Sequence, residues 1–339
     1  MRLLSATTRS VASLGLGAKR QLASHHHHTV AKALTSTSSA VLSRRRRLST
    51  SLRVFAVSPE GSFSAKGYSS AEAAEYEDMQ KPSAFLSGKW TLVTGSSRGI
   101  GLAVAEAFSR EGAKVIITCE EGQKEDLQKA EESCKKYGAA EVKSIIADLT
   151  DAKEAQRLGE EALRISGGHV DCLVNNAGVY YPMSLEEGPN KGQGPLDGDP
   201  DDWDKQTQIN LKSPMRLTRL LLPGMKEKGE GYIVNVCSIE ALFPYPSAPA
   251  YSATKWGLRG WSKAVYAALK TEKIKVLTVN PAQTSTPMTW SRPDAEYLPD
   301  KMIQPDEIAE AIMMTFKLGP NVFIEEITVE TAEKPKKEK

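Results

Sequence analysis

"KWTLVTGSSRGIG", residues 89 to 101, is the stretch on which the fold turns. A short apolar run from Trp90 ends at a glycine, and a segment of helical period, Leu102 to Ser109, follows at once. Glycine at a strand-to-helix turn lets a phosphate approach the backbone, and the helix N-terminus meets it with amides and partial positive charge. The spacing is TGxxxGxG on Gly95, Gly99 and Gly101, neither GxGxxG nor the GxxxxGK[ST] of a P-loop. A glycine-rich turn can be merely a tight connection. In its strand–turn–helix setting it predicts a nucleotide site.

Working outward, five more Val-, Ile- and Leu-rich runs follow: "AKVIITC", "EVKSIIA", "HVDCLVN", "GYIVNVC" and "IKVLTVN". Helical periods lie between them, including Lys124 to Lys136 and Ala155 to Ile165. Near-continuous apolar strands alternating with helices predict an α/β fold, a doubly wound parallel sheet with both faces covered. A seventh run, "NVFIEEITV" (321–329), follows a helix expected at Pro305 to Phe316 and is placed at the sheet edge. One domain of about seven strands, residues 88–330, accounts for the pattern. In a parallel sheet every strand's C-terminal end lies on one edge, where open α/β sheets bind ligands. Gly95, Asn176, Ser238 and Pro281 each follow directly on a run, so they line one crevice. Tyr251 and Lys255 of "YSATK" begin the next helix, four positions and thus about one turn apart. An ammonium beside a phenol favours the phenolate, making tyrosine a usable proton carrier.

The set "TGSSRGIG", "NNAG" (175–178), "IN" ending at Asn210, Ser238 and "YSATK" resembles the short-chain dehydrogenase/reductase family, a Rossmann-type group. The thirteen positions from Ser238 to Tyr251 and the segment "NPAQTSTPM" (280–288) match as well, and the resemblance spans about residues 89 to 329. It implies NAD(P)-dependent oxidoreduction at a carbonyl or alcohol carbon. Tyr251 would be the general acid or base, Lys255 would lower its pKa and bond the nicotinamide ribose, Ser238 would hold the substrate oxygen, and Asn210, mid-helix, would keep a water relay behind Lys255. A cap for Ser238 and local backbone bonding for Asn210 are the plain structural alternatives. The cofactor would be held by Gly95, Ser97, Arg98, Gly99, Ile100 and Gly101, by Asp148 and Leu149 at the adenine, by Asn176, Ala177 and Gly178, by Tyr251 and Lys255, and by Pro281 and Thr286 at the carboxamide end. One departure is Pro281–Ala282, where the family usually has Pro-Gly.

Arg98, before the second glycine, is where NADP-preferring members place a basic residue for the 2′-phosphate. The second strand ends "ITCEE", with neither an Asp at position 119 nor a basic residue at 120, and Glu120 would repel a phosphate. The reading is NADP, with NAD as the alternative. Leu242, Phe243, Tyr245, Trp256, Tyr181 and Trp290 suit a partly hydrophobic pocket and equally suit core or subunit contact. The stretch from Thr286 to Pro305 is short, which argues against a large lid. The ending "GPNVFIEEITV" is unlike the glycine-rich last strand of members that reduce acyl-carrier thioesters, and closer to the branch acting on 3-hydroxy acids and small alcohols.

Charge is unevenly placed. Residues 1–59 hold ten Lys and Arg and no acid, leaving 34 basic against 42 acidic residues, a balance of −8, in the remainder. An acidic body argues against nucleic acid as the main partner. The acid-free leader is rich in Ser, Thr, Ala and Arg and lacks an apolar run for a signal peptide or membrane span. "RRRRLSTS" (44–51) resembles a mitochondrial processing region, with a plastid transit peptide as the alternative and an addressless disordered terminus as the plain one. His25 to His28 fall in that leader, so only His169, expected as a turn residue, remains for a zinc site or a Ser-His-Asp triad. Cys119, Cys134, Cys172 and Cys237 form no CxxC pair and are expected as reduced thiols. Residues 60–87 are expected as a linker with one short helix at "SAEAAEYEDM", and 331–339 as a solvated tail. The Gly/Pro/Asp-rich loop 184–202 fits a surface insertion or a flap, ahead of a helix capped at or near Asp201 or Asp202 with Trp203 in its first turn.

The reading is an organelle-targeted oxidoreductase that forms a dimer or tetramer through the helices before and after Ser238, as the resemblance implies. Its alternatives are a 3-oxoacyl-carrier-protein reductase of an organelle and a non-catalytic cofactor-binding redox sensor or assembly subunit.

Overall fold

Successive side chains along a strand point to opposite faces, and here both faces are dry. Leu92, Ile116, Leu173 and Ile233 pack into one core cluster, while Val93, Ile117, Val174 and Val234 pack into another. A computed structural model describes residues 86–181, 198–246, 248–290 and 298–332, all inside the compact unit Tyr76–Lys339. The apolar runs form β1 (Trp90–Val93), β2 (Lys114–Cys119), β3 (Glu141–Ile146), β4 (Cys172–Asn175), β5 (Gly231–Val236), β6 (Ile274–Pro281) and β7 (Glu326–Val329). Their order is β3-β2-β1-β4-β5-β6-β7, and every neighbouring pair is parallel. The chain leaves β1 in one direction to β2 and β3, then returns beside β1 with β4. That reversal opens a crevice at the strands' C-terminal ends, between β1 and β4.

The helices of eight or more residues are α1 (Gly99–Arg110), α2 (Lys124–Lys136), α3 (Ala152–Ile165), α4 (Pro200–Thr207), α5 (Ser213–Lys228), α6 (Pro249–Leu269) and α7 (Pro305–Phe316). Residues of α1, α2 and α7, among them Phe108, Leu127 and Ile312, join the core on one sheet face. Leu158 of α3, Leu217 and Leu221 of α5 and Leu269 of α6 join the other. The expected doubly wound sheet is therefore present, with α2 and α7 on their expected boundaries.

Several details differ from expectation. The α4 cap, expected at or near Asp201 or Asp202, is Asp199, whose Oδ1 accepts from Asp201 N at 2.9 Å. Pro200 decides this, because its fixed φ and missing N–H suit the first helical position. Only the last four residues of "NVFIEEITV" pair with β6, and Pro281 is the last residue of β6 rather than the first beyond it. His169 follows the turn at 166–168, but it is buried and its Nε2 lies 2.9 Å from Asp171 Oδ1, so it belongs to a polar clasp under the sheet. Asn210 lies in a π-helical turn, Gln208–Lys212, between α4 and α5 rather than in regular helix. The four cysteines are free and buried, Cys134 included. The leader 1–59, the linker up to residue 85 with "SAEAAEYEDM", positions 184–197 of the Gly/Pro/Asp-rich loop and the tail from residue 333 lie outside the described residues.

Candidate active site

The glycine turn is built by close packing. Gly95 has φ +62°, and a Cβ there would stand 2.9 Å from Ala177 Cα; one on Gly101 would stand 2.2 Å from the Gly95 carbonyl oxygen. Those contacts hold β1, the start of α1 and the β4 loop together. Thr94 Oγ1 accepts from the amides of Asn176 and Ala177, both at 3.0 Å. The Asn176 carboxamide donates to the carbonyls of Thr94 and Gly95 at 2.9 and 3.0 Å. Asn176 and Ala177 thus brace the turn.

α1 itself starts without help. Its N-cap residue, Arg98, makes no side-chain cap, and its first turn carries no acid. The first amides of a helix need acceptors, and a dinucleotide pyrophosphate would supply them together with the charge the dipole favours. The residues present therefore fit a dinucleotide. Arg98 is exposed at this end. Ser97 Oγ donates to Gln123 Oε1 at 2.6 Å, and Gln123 Nε2 donates to Glu120 Oε1 at 2.8 Å, so a side-chain chain crosses from the turn to the end of β2. Asp148 is exposed beyond β3 and accepts from Thr150 N and Oγ1, whereas Leu149 beside it is buried. Thr286 lies at the glycine turn, its Cγ2 3.3 Å from where a Gly99 Cβ would be.

The second half of the site gathers on β4, β5 and α6. Lys255 is buried, and its Nζ donates to the Val236 carbonyl at 3.1 Å. Burial pulls its pKa down, because a dry site disfavours the ammonium. The same Nζ lies 5.5 Å from the centroid of the Tyr251 ring, which is itself buried and meets the Tyr180 ring edge-on at 5.1 Å. Gly178 separates Lys255 from Asn210: a Cβ there would stand 3.6 Å from Lys255 Nζ and 2.9 Å from Asn210 Oδ1. Asn210 Oδ1 accepts from Val179 N, and its Nδ2 donates to the Val179 carbonyl and to Thr254 Oγ1. Ser238, half-buried just past β5, accepts the Glu240 amide at 3.1 Å, which leaves its hydroxyl proton to donate.

The structure thus brings Gly178, Asn210, Tyr251 and Lys255 into one cluster. It holds Ser238 two residues from the carbonyl that anchors Lys255. Of the large apolar residues read as suiting a pocket, the core or a subunit contact, Phe243, Tyr245, Trp256 and Trp290 are exposed, which removes the core alternative for these four. Tyr245 and Trp256 instead border an open cleft of about 580 Å³ with Pro244, Pro246 and Pro249. Tyr180, Thr254, Gln123 and Glu240 were not anticipated; only the adjacency of Tyr180 to "NNAG" and of Thr254 to Lys255 could have pointed to them. Among the described residues no group of His, Cys, Asp and Glu could hold a metal, and no helix is long and apolar enough to cross a membrane.

The sequence profile of the family described as short chain dehydrogenase matches residues 89–296. The chain belongs to that family. An uncharacterized oxidoreductase of Staphylococcus saprophyticus is 27% identical over 244 residues, covering 72% of this chain and 97% of the relative. Among solved family structures, a metagenomic short-chain oxidoreductase in complex with NADP is 30% identical with a TM-score of 0.61, over 74% of this chain and all of that one. An alcohol dehydrogenase of the archaeon Thermococcus sibiricus, complexed with 5-hydroxy-NADP, is 26% identical with a TM-score of 0.61, over 73% of this chain and 99% of that one. Family membership makes this chain an oxidoreductase of the short-chain type.

Proposed function

We propose that the protein interconverts a carbonyl and an alcohol with NADP(H). The observation that carries this reading is the Asn210–Gly178–Lys255–Tyr251 cluster beside an uncapped helix N-terminus. The α1 amides, Gly95, Gly99, Ile100 and Gly101 would hold the pyrophosphate, Asp148 and Leu149 the adenine end, and Asn176, Ala177, Pro281 and Thr286 the nicotinamide end. When bound, the cofactor supplies or takes up the hydride.

Tyr251 gives its phenolic proton to the carbonyl oxygen, or removes it from the alcohol in the reverse direction. Lys255, as a cation beside the ring, lowers the phenol's pKa, and would bond the cofactor's ribose. Ser238 donates its hydroxyl proton to the same oxygen, stabilising negative charge as it develops. Asn210 fixes the back of the cluster, where a water relay would recharge Lys255. Arg98 favours NADP over NAD; the two relatives complexed with NADP or its derivative support that preference. The preference for 3-hydroxy acids or small alcohols over acyl-carrier thioesters still rests on the resemblance of the C-terminal segment. We also propose that residues 1–59 are a mitochondrial leader and that the enzyme is a dimer or tetramer.

The test is hydride transfer from NADPH to a panel of ketones, aldehydes, free 3-oxo acids and 3-oxoacyl carriers, followed at 340 nm. Tyr251→Phe is expected to lower kcat at least about 100-fold with NADPH affinity retained. Wild-type protein that binds NADPH and reduces nothing in the panel would instead favour a redox sensor or assembly subunit.

A further inference from the structure

Gln123 has no part in the reaction described above, yet its side chain joins the glycine turn to the end of β2. Ser97 Oγ lies 2.6 Å from Gln123 Oε1, and Gln123 Nε2 lies 2.8 Å from Glu120 Oε1. Chemistry fixes the direction of this chain. A carboxylate only accepts, so Glu120 faces the NH2 of the carboxamide; the carboxamide oxygen then faces Ser97, whose hydroxyl has to donate. A hydroxyl carries one proton, and that of Ser97 is committed to Gln123. Phosphate oxygens also only accept, so Ser97, expected from the sequence to touch the cofactor, has no proton for one while this bond stands.

Both ends of the chain are anchored. Ser97 is 3% exposed, and the turn that carries it is stitched to β2. Ser96 N donates to the Thr118 carbonyl at 2.9 Å, Gly95 N to Thr118 Oγ1 at 3.2 Å, and Thr118 N to Ser96 Oγ at 2.9 Å. Gln123 ends a short 3-10 turn, Glu121–Gln123, and its amide donates to the Glu120 carbonyl at 3.1 Å, so its backbone and its side chain both hold Glu120. Its side chain makes no cap for α2; it bridges instead. In a dinucleotide-binding sheet, an acid about 20 residues beyond the glycine turn accepts the hydroxyls of an unphosphorylated ribose, and a nearby arginine accommodates a 2′-phosphate. Glu120 is placed for the first task and Arg98 for the second. A ribose diol is held best by both oxygens of a carboxylate, and here Gln123 engages one of them.

We propose that Gln123 is a specificity-determining residue for the cofactor: anchored on Ser97, it occupies a Glu120 oxygen, withholds that carboxylate from the ribose hydroxyls of NAD(H), and leaves the ribose end to Arg98 and a 2′-phosphate. Ser97 then acts through Gln123 rather than on the pyrophosphate. This rests on the oxidoreductase reading given above.

Calorimetric titration of the full chain with NADPH and with NADH tests this. Gln123→Ala frees Glu120 and is expected to tighten NADH about three- to tenfold, the size of one net hydrogen bond, without tightening NADPH. Ser97→Ala removes the anchor and is expected to move the ratio of the two affinities the same way. In Glu120→Gln the carboxylate is gone, so adding Gln123→Ala is expected to leave the ratio where Glu120→Gln alone puts it. A merely structural role would change both cofactors together. An unchanged ratio in Gln123→Ala overturns the proposal, as does a ratio shift that persists in the Glu120→Gln background. Equal loss of both cofactors in Ser97→Ala overturns it too, and returns Ser97 to the pyrophosphate. Wild-type protein that binds neither cofactor refutes the oxidoreductase reading itself, and the proposal with it.

Discussion

Arg98 and Glu120 set opposite charges at the mouth of the glycine turn, and which of them governs the ribose end is a question about side-chain ties. Glu120 is engaged by Gln123, which is engaged in turn by Ser97, whereas Arg98 is exposed at the N-cap of α1. A guanidinium free to meet a phosphate makes a charge-assisted contact stronger than a neutral bond. Arg98→Ala is therefore expected to weaken NADPH binding about tenfold to a hundredfold, roughly 1.5–3 kcal/mol, and to leave NADH nearly unaffected. Calorimetric titration with both cofactors checks this; equal loss for both would remove the phosphate-reading role. The glycine turn was legible because it follows from backbone position alone. Gln123 was not, since its place depends on how the turn after β2 bends back toward Ser97.

β7 is a short edge strand, and its attachment to the rest depends on charge. Glu326 accepts from the Nε and Nη2 of Arg259, lies 2.8 Å from Lys263 Nζ, and accepts the Asn280 carboxamide at 2.7 Å. Those partners hold its carboxyl down at about 2, against an ordinary value of 4.5, with the Arg259 bond first among the causes. A depressed carboxyl pKa contributes stability that is complete above the unfolded value and is lost as pH falls toward the folded one. Glu326→Gln should accordingly lower stability at pH 7 by roughly 1–3 kcal/mol, and the gap to wild type should close between about pH 5 and pH 2. Urea unfolding of both proteins across that range measures it; a gap independent of pH would show that packing, not charge, is lost. The sequence placed a strand here but made it too long. Pairing stops where Glu326 meets α6, a contact between residues 67 positions apart that no local pattern reports.

At the scale of the whole chain, an acid-free segment, residues 1–59, precedes an acidic remainder. A chain beginning at residue 60 should retain the denaturant midpoint and the kcat/KM of the full chain and sediment as a dimer or tetramer. Residues 1–59 fused to a fluorescent protein should carry it to mitochondria. Plastid import or diffuse fluorescence would overturn the mitochondrial address, and a monomer in sedimentation velocity would overturn the assembly.

Strand number, helix alternation, the glycine turn and the Tyr251–Lys255 pair were all determined by local features: runs of β-branched residues, periods of 3.6, and spacings of three or four positions. Such features act over one element and survive in any context that buries the same face. The tertiary structure alone decided what surrounds that pair. Asn210 meets Val179 across 31 positions and leaves no room for a Cβ on Gly178, and Glu240 reaches Ser252 from the neighbouring loop. These meetings depend on where packed elements end and on how little room they leave between them.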